Sequence, residues 1–235
     1  MRAHGVLRII AFALAAAGCA PEGPAADEAG REVLASVARS SEAAPQTLDI
    51  SRLGADRGAE DAPVHIVEFS DYGCGYCRKF HEETWPVLLR DFVDAGKVEW
   101  KFLPYVTGLF GNTTAATAAA ECVLEQGDTL FHTMNSLVWG HQSEWKRASD
   151  PASILRGLAH ESGVELMRYD ACVSQGRRTE RMEAAKALAR QVGVRGTPTF
   201  YIVGYPPIQG ALPTGAFVHI LTLVYDEATK TGGIP

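Results

Sequence analysis

The sequence predicts an α/β domain in which a mixed sheet is interrupted by a helical subdomain. Three observations carry that reading: a compact β-rich run at 64–69, an almost unbroken helical stretch over 113–192, and a return to β character at Thr199. Val64-His65-Ile66-Val67-Glu68-Phe69 is short, rich in β-branched and aromatic residues, and stopped by the break Ser70 to Gly73, so it reads as a buried central strand. The residues that follow, to about Val93, read as helix, because Phe80, Val87, Leu88 and Phe92 recur near helical spacing. Pro86 predicts a kink there. Lys97 to Leu103 reads as a second strand, with Val98, Trp100 and Phe102 alternating. Within the helical block Thr113 to Gln126 is Ala-rich and Asp128 to Trp139 amphipathic, while Asp150-Pro151 is a good helix start. Gly163, Gly176 and Gly193 punctuate the later segments. Strands are expected again at Thr199 to Val203 and Ile208 to Leu212, and Thr214 is expected to cap a final helix to about Glu227. The order β-α-β, helical block, β-β-α places the domain at about 60–230, with the insertion at about 105–192.

The 235 residues are enough for one substantial domain, and the net charge of −6 with no basic stripe argues against general nucleic-acid binding. The N-terminus reads as an export signal over 1–18. Arg2, His4 and Arg8 give a basic start, and the apolar run Ile9 to Ala17 is about half the roughly 20 residues needed to span a bilayer. Ala16-Ala17-Gly18-Cys19 resembles the lipobox of bacterial lipoprotein precursors, with Ala16 where Leu is usual, and the resemblance implies a lipidated Cys19. An ordinary signal peptide cut nearby is the alternative, although Pro21 makes cleavage after Ala20 awkward. Residues 19–59 read as a tether, with one or two helical turns at Glu32 to Arg39 and a short edge strand at Leu48 to Ile50.

The chemistry is concentrated in Cys74-Gly75-Tyr76-Cys77, which follows a strand and opens a helix. Unpaired backbone N–H groups and the positive dipole end at that position stabilise an anion, so the Cys74 thiol is expected to have a depressed pKa. Cys74 is then the nucleophile of disulfide exchange and Cys77, one turn further in, the resolving partner. A zinc site needs two further ligands, and His81 on the same face supplies a third at best. A purely structural disulfide closing so small a loop would constrain the unfolded chain little. A second signal is Arg195-Gly196-Thr197-Pro198-Thr199-Phe200, a proline just before a β run.

VHIVEFSDYGCGYCRKF, then the helical block, then VRGTPTFYIVG, resembles the DsbA-like members of the thioredoxin family over about Leu48 to Glu227. Small thioredoxins place far fewer residues between the two motifs than the 120 separating Cys77 from Pro198. The resemblance implies a thioredoxin-like fold and a cis Thr197-Pro198 bond, although X–Pro bonds are usually trans. The loop would face the CxxC, leave backbone groups free for an extended substrate and keep metals off the cysteines. It also implies a buried acid at Glu68, six residues before Cys74, transferring protons to and from Cys77. Desolvation would raise such a carboxyl; the alternative is a Glu68 facing solvent. Asp71, in the loop, is expected to cap or to be solvated.

Cys122 and Cys172 lie on two different helices of the insertion and are either a disulfide or two buried thiols. An oxidising compartment and the even count left once Cys19 is set aside favour the disulfide. Of the aromatics Tyr72, Tyr76, Phe110, Trp139 and Trp145, Tyr76 between the cysteines is the one expected at the surface, beside a substrate.

The function implied is exported thiol–disulfide exchange through a redox-active cysteine pair with no bound cofactor or metal. Unfolded or partly folded secreted proteins would be the substrates, with a membrane redox partner. The oxidase is the first expectation. The Gly75-Tyr76 dipeptide resembles that of some isomerases and keeps a reductase or isomerase as the alternative, and a dithiol metal-binding or copper-site maturation protein is a third.

Overall fold

The computed structural model describes residues 50–230. The export signal, Cys19, the turns at Glu32 to Arg39 and the Leu48-Asp49 part of the expected edge strand lie outside them. Residues 52–202 and 207–230 group as one compact unit, and Ile50, Ser51 and the turn Val203–Pro206 lie outside it.

The chain enters the sheet at strand β1, Ala55–Arg57, then forms β2, Val64–Ser70. A helical run, α1, follows, made of α-helical turns Gly75–Lys79 and Trp85–Leu88 and π-helical turns Phe80–Thr84 and Leu89–Val93. Strand β3, Val98–Pro104, leads to the helices α2, Thr113–Leu124, α3, Asp128–Gly140, α4, Gln142–Trp145, α5, Pro151–Glu161, α6, Leu166–Ser174, and α7, Thr179–Gln191. Strands β4, Thr199–Ile202, and β5, Ile208–Gln209, and helix α8, Thr214–Lys230, complete the described chain. The sheet order is β1-β3-β2-β4-β5. β2 runs parallel to β3, as a strand–helix–strand crossover requires, and antiparallel to β4; β1 and β5 are antiparallel edges. β2 therefore has neighbours on both sides, and all its residues except His65 are buried.

Four expectations are corrected. Among the described residues the first edge strand is Ala55–Arg57, so the sheet starts inside the stretch read as tether. Ala-Asp-Arg has no alternating pattern; it is a strand because its backbone pairs with Trp100 to Phe102. Pro86 does not mark a simple kink. It stands at the start of an α turn, and the helix widens to π-helix immediately before it. A proline ring crowds the carbonyl four residues back, and a π turn relieves that crowding. The last strand stops at Gln209 because Gly210 takes φ 83° and donates its N–H to the Pro198 carbonyl at 2.8 Å. Thr214 is itself helical, and its hydroxyl meets the Thr84 hydroxyl at 2.9 Å rather than capping.

Alanines let the helices of the insertion pack closely: Ala116, Ala119 and Ala120 of α2 meet Phe131, Met134 and Val138 of α3 and Leu155, Leu158 and Ala159 of α5 in one buried cluster. Cys122 of α2 is disulfide-bonded to Cys172 of α6 across 50 residues of chain. Beside it the buried Glu121 carboxylate receives Arg178 at 3.2 Å and Arg181 at 2.8 Å, and Arg181 also donates to the Gly54 carbonyl. A loop of that length contributes about 4 kcal/mol by restricting the unfolded chain. The Cys122→Ser, Cys172→Ser double variant is expected to lose about 2–5 kcal/mol in a urea titration followed by circular dichroism. An unchanged midpoint would show that the bond contributes nothing.

Candidate active site at the CGYC turn

The turn is built from the end of β2 outward. Backbone groups that leave a buried strand need partners, and here side chains supply them. Asp71 is not solvated, as it could have been: it is buried, and it organises the loop. Its Oδ1 accepts from the Gly73 N–H at 2.8 Å and from the Thr113 hydroxyl, and its Oδ2 accepts from the N–H and hydroxyl of Thr107. The helical insertion takes the carbonyls. Gln142 Nε2 donates to the Tyr72 carbonyl at 2.6 Å and the Cys74 carbonyl at 2.9 Å, and Lys146 Nζ donates to the Gly73 carbonyl while lying 4.7 Å over the Phe110 ring. Phe110 packs so closely on the chain at Gly73 that a Cβ there would overlap it.

Cys74 is the residue preceding the first turn of α1, with extended backbone, and Cys77 lies within that turn. The two are unbonded, and their environments differ sharply. The Cys74 thiol is brought down to about 5, first by the hydrogen bond from the Cys77 thiol. Desolvation opposes this, while Thr197 and the backbone N–H groups of Cys77 and Tyr76 reinforce it. Cys77 is pushed well above its ordinary value, first by burial, since it is 0% exposed, and then by the neighbouring Cys74. The pair at neutral pH is thus a Cys74 thiolate beside a Cys77 thiol.

Thr197-Pro198 is cis, and the Thr197 carbonyl lies 3.4 Å from Cys74 Sγ. The loop therefore faces Cys74 directly. A carbonyl can accept only from the thiol form, so it is the Thr197 side chain that favours the thiolate. Cys74 is 4% exposed and forms part of the floor of a depression lined also by Gly75, Tyr76, Arg78, Lys79 and Phe110, where Tyr76 stands 71% exposed.

A thioredoxin profile matches residues 54–208, more than half of the chain. The chain belongs to the thioredoxin family, on its DsbA-like branch. Disulfide bond formation protein D of Bacillus subtilis is 28% identical over 151 residues, 62% of this chain and 65% of that protein. A Na(+)/H(+) antiporter, NhaA 3 of Salinispora tropica, is 34% identical over 148 residues, 63% of this chain but 21% of the antiporter. The chain thus spans less than two thirds of both relatives. Among solved structures, oxidised BdbD from Bacillus subtilis superposes with TM-score 0.67 at 21% identity, covering 74% of this chain and 93% of that one. DsbA from Chlamydia trachomatis gives 0.66 at 19%, covering 77% and 94%. The likeness to both structures is one of fold: a thioredoxin-like sheet with an inserted helical region.

In this DsbA-like frame Glu68 is 0% exposed. Its Oε1 accepts from the Ser70 hydroxyl and lies 2.7 Å from His81 Nε2, and its Oε2 accepts from Trp100 Nε1 at 2.9 Å. Ser70 also acts on the Cys77 thiol, so one hydroxyl lies between the buried acid and Cys77. His81, read from the sequence as at best a third zinc ligand, turns to Glu68 and stacks on Trp139 with centroids 4.7 Å apart. Among the described residues no group of three or more His, Cys, Asp or Glu converges as a metal site. Tyr72, Trp139 and Trp145 are core residues and Phe110 is half-buried, which leaves Tyr76 alone of the five fully at the surface.

Ser70 was legible in principle, since Glu68 and Ser70 are two apart on a strand and share a face. Gln142 and Lys146 had no local signal. In the reduced protein the thiolate ultraviolet absorbance is expected to rise with a midpoint near pH 5, and Thr197→Val is expected to move it upward. A midpoint near the free-cysteine value would remove Cys74 as the activated thiol.

Proposed function

We propose that the chain is an exported thiol–disulfide oxidoreductase that oxidises the thiols of unfolded or partly folded secreted proteins through Cys74 and Cys77, with no cofactor beyond that pair. The observation that carries the reading is the asymmetry of the two sulfurs, one an anion beside the Thr197-Pro198 loop and the other a buried thiol. In the oxidised protein a client thiolate attacks Cys74 Sγ. The Cys74–Cys77 bond breaks, Cys77 leaves with the electron pair and takes a proton, and a mixed disulfide joins the client to Cys74. A second client thiolate attacks the client sulfur, Cys74 leaves as the thiolate it prefers to be, and the client holds the new disulfide. Two electrons have passed from client to enzyme, and a membrane redox partner removes them. Stabilising the leaving Cys74 thiolate stabilises the reduced enzyme, which makes it the better oxidant.

The turn would present Tyr76 and the Thr197-Pro198 backbone to an extended client, with Glu68 exchanging the proton of Cys77. The leader and Cys19 support secretion and a lipid anchor in the cell envelope, and no helix of the described residues is long and apolar enough to cross a membrane. The Gly75-Tyr76 dipeptide favours a second reading, a reductase or isomerase working from the dithiol.

Equilibration with glutathione separates the two. A potential near about −120 mV is expected for the donor of disulfides, and one near about −270 mV would assign reduction instead. Between pH 5 and the raised pKa of Cys77, reduction consumes one proton per two electrons. The potential is therefore expected to fall by about 30 mV per pH unit, steepening to about 59 mV below pH 5 where Cys74 also protonates. Cys74→Ser is expected to abolish client oxidation, and Cys77→Ser to accumulate mixed disulfides visible on non-reducing gels. Full activity in the Cys74→Ser protein overturns the assignment.

A further inference from the structure

Cys77 must gain a proton each time it leaves a disulfide and lose one each time it re-forms one, yet it is wholly buried. Water cannot meet it directly. The Ser70 hydroxyl, which donates to Glu68 and acts on the Cys77 thiol, opens a way inward from the sulfur. Glu68 is also wholly buried, so the path needs a further step to reach solvent.

A second cleft supplies that step. A cleft of about 480 Å³ is lined by Glu68, His81, Trp85, Trp100, Arg57 and His132 among others, and it shares no lining residue with the depression at Cys74. His81 Nε2 is 2.7 Å from Glu68 Oε1. Its ring is clamped by Trp139 at 4.7 Å and by Phe102 edge-on at 5.7 Å, and no described residue bonds Nδ1. An imidazole held between a buried carboxyl and an open cleft, with one nitrogen engaged and the other free, has the geometry of a proton shuttle.

We propose that His81 is the positioning residue that carries protons between the Glu68–Ser70–Cys77 chain and the solvent of this second cleft, so that Cys77 exchanges its proton away from the face where Cys74 meets the client. The inference rests on the thiol–disulfide exchange proposed above. Cys77 passes its proton to Ser70 Oγ as the Ser70 hydroxyl proton moves to Glu68, the proton already lying between Glu68 and His81 settles on Nε2, and Nδ1 releases its proton to the cleft. One proton leaves the thiol and one reaches water, with every intermediate group unchanged in charge; the ring is left as the other tautomer, which uptake, running the sequence backwards, restores. The other titratable or charged groups around the path are the Tyr72 phenol, which feels Glu68, with Arg57 of β1 and His132 of α3 at the cleft. Arg57 is paired with Asp94, and His132 Nε2 with the Asp56 carbonyl.

The test follows the two steps by which oxidised glutathione oxidises the reduced full chain: mixed-disulfide formation at Cys74, then release of glutathione as Cys77 closes the bond. In His81→Gln the second step is expected to slow by about tenfold or more relative to the first around neutral pH. In His81→Ala, which opens space onto the cleft, millimolar imidazole is expected to restore it. A His81→Gln pH–rate profile that superimposes on the wild type, or a His81→Ala protein indifferent to imidazole, overturns the shuttle. Should both variants fail to fold, Ser136→Trp, which fills the second cleft from its exposed rim, decides: it is expected to slow the second step relative to the first, and an unchanged ratio overturns the proposal. A wild type that forms no mixed disulfide at all defeats the exchange reading itself, a different result from any of these.

Discussion

Two sulfurs three residues apart are held in opposite protonation states, and the local architecture serves that difference. Burial alone would raise both thiols. Cys74 escapes because it stands where the helix begins, within reach of backbone N–H groups and of Thr197, while the neighbouring Cys77 gives it a hydrogen bond. Ser70 and Thr197 also favour a Cys77 anion, but burial and the neighbouring Cys74 outweigh them and Cys77 stays neutral. The anion and its donor stabilise each other, so neither pKa belongs to one residue alone.

The helical insertion is part of this arrangement and not an accessory to it. A tight turn between a buried strand and a helix leaves consecutive carbonyls at Tyr72, Gly73 and Cys74, and each is bonded by a side chain from α4 or the residue just after it. Asp71, fixed by Thr113 of α2 and Thr107 of the preceding loop, meets the N–H of Gly73. The Cys122–Cys172 bond and the Glu121 ion pairs tie α2 to α6, Arg178 and Arg181. Without the insertion the Tyr72 and Gly73 carbonyls would have to face water or stay unmatched, and the latter costs about 1–3 kcal/mol for each.

What the sequence revealed were features written into short stretches of chain. The buried strand ending at Ser70, the cysteine pair opening a helix, and the small-residue packing of Thr113–Leu124 are all local patterns. The pairing of Cys122 with Cys172 followed from parity and compartment, and the cis bond at Pro198 from resemblance alone. What stayed hidden depends on partners far along the chain. Ala55–Arg57 is a strand only because Trp100 to Phe102 lies beside it. Asp71 reads as a loop acid until Thr107 and Thr113 come to it, and Gln142 meets the turn across 70 residues. Glu68 could have faced either way; the Trp100 indole and His81 imidazole, on other elements, make a dry site for it tolerable.

The two glycines flanking Cys74 live under opposite rules. Gly73 is locked against Phe110, so any side chain there would push apart the loop that Lys146 and Asp71 hold. A Cβ on Gly75 would meet nothing within 4 Å. Side chains at Gly75 and its exposed neighbour Tyr76 can therefore vary, changing the surroundings of the two sulfurs, while the frame beneath stays fixed.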